Sequence, residues 1–404
     1  MYHYKLGINA QEHDNFVIAS PQTNLLQSSA WAKIKDNWGN ERVGFYKDEQ
    51  LVAVASILIR PLPLGFSMFY IPRGPIMDYT DQELAAFVLK SLKKIGKEKK
   101  ALFIKFDPSL FLTKAGVDQE RTDQTETLSI IDTLTQQSAK WVGRTDQLDD
   151  TIQPRFHANL YRELFDESHF SKNTRQTIRT ARNKDIQILF GALDLLDDFA
   201  NLMKKTENRK SIHLRGKDYY QKLLETYKDS SYITLARLDI NERLSKLQKE
   251  LEKAQTEASR FTDKTKPGKI ETNKQNQERL QEEIEFLTEK QQQGLHIIPL
   301  AGTLSLEFGG TSENIYAGMD EEYRRYQPAL LTWYETAQHA FERGATWQNM
   351  GGIENNMDGG LYHFKSKFQP IIEEYAGEFN LPTSPLYALF NLAYTLRKKM
   401  KKRS

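Results

Sequence analysis

The chain has no cysteine among its 404 residues, which removes disulfides, thiolate nucleophiles, cysteine-ligated zinc and iron–sulfur clusters together. No apolar run approaches the roughly 18 residues needed to span a bilayer. The first residues, MYHYKLGINAQEHDNF, lack the basic-then-apolar order of a secretory leader. A soluble, cytoplasmic protein is expected. Four catalytic signatures are missing as well: G-x-x-x-x-G-K-[ST], G-x-G-x-x-G, G-x-S-x-G and H-E-x-x-H. These absences argue against ATP-dependent ligation, dinucleotide chemistry, a serine-hydrolase elbow and zincin chemistry. The eight histidines are dispersed with no close pair at ligand spacing, so no metal site is expected.

What is present is enough apolar sequence, 39%, to bury the cores of two domains. Net charge is only +2, yet Arg397, Lys398, Lys399, Lys401, Lys402 and Arg403 crowd the last eight residues without an acid. Just before them, Leu386, Leu389, Phe390, Leu392, Ala393 and Leu396 fall at spacings a helix could use. Such a tail suits docking on anionic lipid, at about 1 kcal/mol per cation. A frayed, solvated end explains it equally well.

Residues 238–293 differ in kind from their surroundings. Of these 56 residues 23 are charged, and Pro267-Gly268 sits at the middle. Leu244, Leu247, Leu251, Ala254, Ala258 and Phe261 alternate by three and four, and Ile270, Leu280, Ile284 and Leu287 follow in the same kind of register, with Asn273 and Gln277 at seam positions. The pattern predicts an antiparallel coiled-coil hairpin. With 11 cations against 12 anions it reads as a spacer or docking arm more than as a nucleic-acid clamp.

Removing the arm exposes a weak internal repeat. Strands at 43–46, 51–60 and 66–71, a helix at 81–97 and a strand at 101–106 match strands at 232–238, 297–308 and 314–318, a helix at 328–343 and a strand at 345–349. The order predicts an α/β (α+β) chain of two mixed sheets covered by helices, with a cleft between them as the default ligand site. The expected boundaries are 1–153 joined by 377–404, then 154–237 with 294–376, and the arm at 238–293, grown out of a hairpin turn.

Three segments concentrate polar and aromatic residues near element ends. In 27–38, Trp31, Lys35 and Trp38 share one predicted helical face, and a cation between two indoles suits a phosphate beside a sugar or lipid. An ordinary amphipathic helix is the competing explanation. In 209–220 a basic stretch with Arg215 leads into a helix carrying Tyr219, which fits phosphate capture, and Arg175, Arg179, Arg182 and Lys184 recur at helical spacing nearby. A solvated face explains those cations as well. In 351–368, Gly351, Gly352, Gly359 and Gly360 stand beside Phe364, Lys365 and Lys367. Here a lysine could stabilise charge developing on an acyl carbonyl, although turns and packing would use the same residues.

L-Q-S-S-A-W-A-x-I-K (26–35), Y-I-P-R-G-P (70–75), F-D-P (106–108), S-x-x-T-R-Q-x-I-R-x-A-R (171–182), W-x-N-M-G-G-I (347–353) and G-L-Y-H-F-K-x-x-F (360–368) are spread over both halves in order. Together they resemble the FemABX aminoacyltransferases over essentially the full length, nearest to a streptococcal branch that adds serine or alanine. The resemblance implies two acetyltransferase-like (GNAT) mixed-sheet domains with an inserted coiled-coil arm. It also implies transfer of a seryl or alanyl group from aminoacyl-tRNA to the stem-peptide lysine amine of lipid II, at the inner face of the cell membrane. No cofactor is implied, because the ester on tRNA is already activated.

By position, the resemblance gives Lys35 and Arg215 to the precursor diphosphate, with Tyr219 and Tyr316 adding hydrogen bonds and Trp31 and Trp38 lining the groove. It sets Phe364 and Lys365 beside the tRNA terminal adenosine, with Lys365 stabilising the oxyanion, and gives Asp107 the task of orienting the amine or accepting its proton. A CoA-dependent N-acyltransferase, whose R/Q-x-x-G-x-G/A signature is missing, and a non-catalytic nucleic-acid or membrane binding module are the alternatives.

Overall fold

The structure is a computed structural model that describes residues 1–392. The basic cluster at 397–403, with Ala393 and Leu396, lies outside the described residues. The chain builds two eight-stranded mixed sheets. The first runs in the order Tyr2–Leu6, Gly39–Lys47, Gln50–Pro61, Ser67–Arg73, Ala101–Pro108, Phe379–Pro382 and Lys140–Trp141, with Ile76–Met77 paired to Gln50–Pro61. The second runs Ile186–Gly191, Ser231–Asp239, Ile297–Phe308, Thr311–Met319, Trp347–Ile353, Phe156–Tyr161, Ile371–Tyr375 and Phe111–Gly116. The halves exchange strands. Phe379–Pro382 returns to the first sheet, and Phe111–Gly116, which the expected boundary leaves in the first unit, pairs with Ile371–Tyr375 in the second.

Each sheet holds one parallel pair, joined across a helix. Helix Gln82–Glu98 buries Leu84, Ala85, Val88, Leu89, Leu92 and Ile95 on one stripe, and Asp81 caps it by accepting from the Leu84 N–H at 2.9 Å. Gly96 lets this helix close on the sheet, since a Cβ there would lie 2.9 Å from Thr383 Cγ2. Its counterpart, Pro328–Glu342, begins with proline at N1, where the missing N–H costs no hydrogen bond. It buries Leu330, Leu331, Ala337, Ala340 and Phe341.

The arm consists of helices Ile240–Ala258 and Pro267–Gln292. Leu244, Leu247, Ala254, Leu280 and Leu287 are buried along the seam, whereas Ile270 near the tip is 42% exposed. Asn273 is buried and donates to the Ala254 carbonyl at 3.0 Å. At the root, buried Arg243 donates to Glu283 at 2.8 Å and to Asp185 at 3.1 Å, an ion-pair layer that the apolar periodicity did not reveal. The strands flanking the arm stay paired up to Asp239 opposite Ile297.

Candidate functional site

The two parallel pairs differ in one respect. In the first sheet Ser67–Arg73 and Ala101–Pro108 stay paired from Ser67 opposite Ala101 to Arg73 opposite Pro108, with one register shift between Ser67 and Phe69. In the second, only Thr311, Ser312 and Glu313 pair with Trp347, Gln348 and Asn349. Beyond these positions Thr311–Met319 remains bound to Ile297–Phe308, and Trp347–Ile353 to Phe156–Tyr161, but not to each other. Where the strands part, side chains take up backbone groups that a neighbouring strand would otherwise pair, Asn349 the Gly351 N–H and Lys365 the Gly352 carbonyl.

Lys365 lies at this parting of the strands. It is the last residue of the short helix Gly360–Lys365 and is 4% exposed. Its Nζ donates to the Gly352 carbonyl at 2.8 Å and lies 5.8 Å from the Trp333 ring centroid. Burial pulls its ammonium down to about 7, Glu354 opposing and Lys210 assisting. Glu354 pins the helix by accepting from the N–H groups of Leu361 at 3.0 Å and Tyr362 at 2.9 Å. Gly351 has φ +84°, and a Cβ on it would sit 3.4 Å from the lysine nitrogen. Phe364 is half-buried and meets Trp333 edge-on at 5.6 Å.

The second group bridges the halves. Helix Ser29–Ile34, capped by the Ser28 hydroxyl on the Trp31 N–H, ends at Lys35. Lys35 Nζ stands 5.1 Å from the Trp31 ring and 5.9 Å from Tyr219, and the Arg215 guanidinium 5.2 Å from the same Tyr219. Tyr316 packs edge-on against Tyr219 at 6.3 Å and Tyr220 at 5.0 Å. Burial and the neighbouring Arg215 charge both hold the Lys35 ammonium below its usual range. Burial raises the Tyr316 phenol against the pull of Arg215. Two cations on an aromatic floor, with no ion pair to either among the described residues, make a seat for a multiply charged anion.

Two expectations require correction. Trp38 does not share a helical face with Lys35, because the helix stops at Ile34; its ring lies under Arg60 at 5.6 Å. Asp107 faces neither group. It is 1% exposed, its Oδ1 accepts from the Arg73 N–H at 2.9 Å, and its Oδ2 accepts from the Tyr70 hydroxyl at 3.2 Å. A carboxyl so held and so buried anchors the Arg73 backbone. Of the cations at 175–184, for which a solvated face was the alternative to phosphate binding, three are engaged locally. Arg182 pairs with Glu167 and Glu335, Arg175 caps the Ser168 carbonyl, and Lys184 donates to the Arg325 carbonyl.

A buried polar chain that sequence reasoning passed over joins the sheets. Arg73 Nη2 donates to His157 Nε2 at 3.1 Å, which leaves the His157 Nδ1 hydrogen for Asn349 Oδ1 at 3.0 Å. Asn349 Nδ2 donates to Glu313 at 3.3 Å, and its Oδ1 also accepts from the Gly351 N–H at 2.7 Å. Burial, with Arg73 beside it, lowers His157 to about 3, so the imidazole is neutral. Arg73 and Asn349 lie inside quoted motifs, so the signal was present, but neither residue type names a partner by itself.

An open depression of about 800 Å³ lies elsewhere, lined by residues including Phe190, Tyr232, His339 and Arg343. Neither lysine group lines it. No helix among the described residues is long and apolar enough to cross a membrane.

Comparison with known proteins agrees with this fold. The chain is 28% identical over 412 residues to the lipid II:glycine glycyltransferase of Staphylococcus aureus strain USA300, covering 95% of this chain and 94% of that protein. The same figures hold for the protein of that name from strain MRSA252. The crystal structure of FemX superposes with a TM-score of 0.75 and 27% identity over 96% of this chain and 99% of that one. The FemAB family model matches residues 8–395, nearly the whole length, and the chain belongs to the FemAB family.

Proposed function

We propose that the protein is an aminoacyltransferase of peptidoglycan bridge formation, moving seryl or alanyl from aminoacyl-tRNA to the side-chain amine of the stem-peptide lysine of lipid II. The observation that carries this reading is the buried Lys365 at the parting of the second parallel pair, set apart from the Lys35 and Arg215 seat. One site takes an activated carbonyl and the other a diphosphate. The named activity of the staphylococcal relatives, transfer to lipid II, needs both.

In this mechanism the diphosphate of lipid II rests on Lys35 and Arg215, over Trp31, with Tyr219 and Tyr316 as hydrogen-bond donors. The 3′ end of the tRNA lies against Phe364, with the aminoacyl ester in the gap between the strands. The lysine amine attacks the ester carbonyl directly, and the Lys365 ammonium stabilises the oxyanion of the tetrahedral intermediate. Collapse breaks the C–O bond and releases the ribose hydroxyl. No covalent enzyme intermediate is needed, and holding two large substrates together supplies much of the acceleration. Contact with the inner membrane face is made through the C-terminal segment. There residues 387–392 are helical, and Leu386, Leu389 and Leu392 are 44%, 67% and 58% exposed.

The test is transfer of radiolabelled seryl, alanyl and glycyl groups from charged tRNA to lysine-containing lipid II, with diaminopimelate lipid II and acyl-CoA as controls. Lysine-dependent transfer from tRNA, faster with serine or alanine than with glycine, is the expected result. Faster glycyl transfer would overturn the serine or alanine assignment alone. Transfer only from acyl-CoA would overturn the whole reading.

A further inference from the structure

Glu313 is a buried carboxylic acid that the mechanism above leaves unused. It is 8% exposed, one oxygen accepts from Asn349 Nδ2 at 3.3 Å, and the other, Oε1, makes no hydrogen bond of ordinary geometry among the described residues, although the Leu25 N–H lies near enough to act on the carboxyl. An orphaned acceptor at this depth is costly to leave unfilled. Its neighbours place it between the two groups already described. Through Asn349 it is tied to the Gly351 N–H, beside Lys365. The strand register sets Leu306 opposite Glu313 and Leu304 opposite Tyr316, with an irregularity between Leu304 and Ser305. Leu304 and Leu306 share a face, so the bulge brings Glu313 onto the same face of the sheet as Tyr316 in the diphosphate seat.

We propose that Glu313 is the proton acceptor for the attacking amine. This inference rests on the aminoacyl transfer proposed above. The lysine side chain of lipid II arrives as an ammonium, and Glu313 Oε1 takes one of its protons. The freed amine forms the C–N bond as the ester C–O bond breaks. A second amine proton goes to the departing ribose oxygen, and the proton on Glu313 passes to solvent. Asn349 is the positioning residue that aims the carboxyl, itself held by His157. Burial lifts Glu313 to about 7, against the charge of Arg73, the Asn349 amide and the Leu25 N–H, which suits a base working near neutrality. The other ionisable groups facing it are His157 through Asn349, Tyr227 and Tyr375.

The test is single-turnover transfer from charged tRNA to lysine lipid II by wild type, Glu313→Gln and Glu313→Asp. Glu313→Gln should lose about 100-fold or more in rate with the KM for lipid II unchanged, and Glu313→Asp should recover part of the loss. The rate ratio of Glu313→Gln to wild type should climb at least about tenfold between about pH 7 and about pH 9. Over that span the free-amine fraction of a lysine rises about 100-fold and replaces the missing base. Using the ratio cancels the titration of Lys365, which both proteins share. A pH-independent deficit, or one confined to KM, would overturn the proton-acceptor role. Failure of the reading beneath it looks different, because wild type itself would then transfer nothing from tRNA.

Discussion

The Arg73 guanidinium lies 3.5 Å from the ring centroid of Tyr375, so the end of a first-sheet strand rests on a second-sheet strand. The same side chain reaches the Pro154 carbonyl at 3.2 Å and His157 at 3.1 Å, while its own backbone N–H is held by Asp107. Arg73 is thus the centre of the contact between the halves, and the planar guanidinium can stack and donate at once.

Arg73→Ala is expected to destabilise the chain by about 3–5 kcal/mol, because it leaves buried His157 and the Pro154 carbonyl without their donor and buried Asp107 without the guanidinium 4.0 Å away. Arg73→Lys should recover little of this, since an ammonium cannot reproduce the stacked fork. Urea unfolding of the three proteins checks it. A loss below about 1 kcal/mol for Arg73→Ala would mean the halves are held mainly by their apolar contacts.

Lys365→Met should lower turnover by about 100- to 1000-fold while leaving lipid II binding near wild type, as removal of an oxyanion donor does. The side chain is similar in length and the site is buried, so the fold should survive. Steady-state kinetics with varied lipid II decides the matter. A rise in KM at constant kcat would move Lys365 from chemistry to binding.

Lys365 also marks the pH dependence of stability. Its folded-state pKa is lowered to about 7, so between there and the ordinary lysine range the unfolded chain holds a proton that the folded chain has released. Stability therefore gains from this group as pH rises through that window, and the burial penalty is full below it. Wild type should gain on Lys365→Met in urea midpoint between about pH 7 and about pH 9. Parallel curves would show that the lysine is as well solvated as in the unfolded chain.

Lys35→Ala and Arg215→Ala should each weaken lipid II binding, by about 10-fold or more for a charge-assisted phosphate contact, with kcat less affected. The loss should shrink at high salt for the exposed Arg215 more than for the half-buried Lys35, which is screened less. Binding measured at two ionic strengths checks both claims. Equal salt dependence would place the two cations in equal solvent.

Much of this was legible in the sequence, for reasons that differ by region. The arm declared itself because a charged segment with one apolar seam has few other ways to be stable, as Leu244, Leu247, Leu280 and Leu287 now display. Strand and helix order was readable because each half repeats it. The exchange of Phe111–Gly116 and Phe379–Pro382 between sheets was not wholly readable, since period-two patterning says that a strand is buried and nothing about which sheet buries it. Lys365 stood out as a lysine among glycines and aromatics. Glu313, Asn349 and His157 did not, because each is an isolated polar residue until folding brings it beside the others. Asp107 is the opposite case, an acid in a distinctive motif whose two oxygens hold the Arg73 N–H and the Tyr70 hydroxyl inside the protein.

The coiled-coil arm leaves the second sheet where Asp239 faces Ile297, neighbours across one strand pair. A turn of two or three residues could close the same gap, but the arm's root is part of the core beneath the sheet, where Leu244 and Leu287 cluster with Leu238 and Ile298 and Arg243 donates to Asp185. Beyond that root the arm can lengthen without moving the sheet, each added turn in both helices carrying the tip outward by about 5.4 Å. The reach of the tip is thus set by the number of helical turns, apart from the strands that carry Glu313 and Asn349.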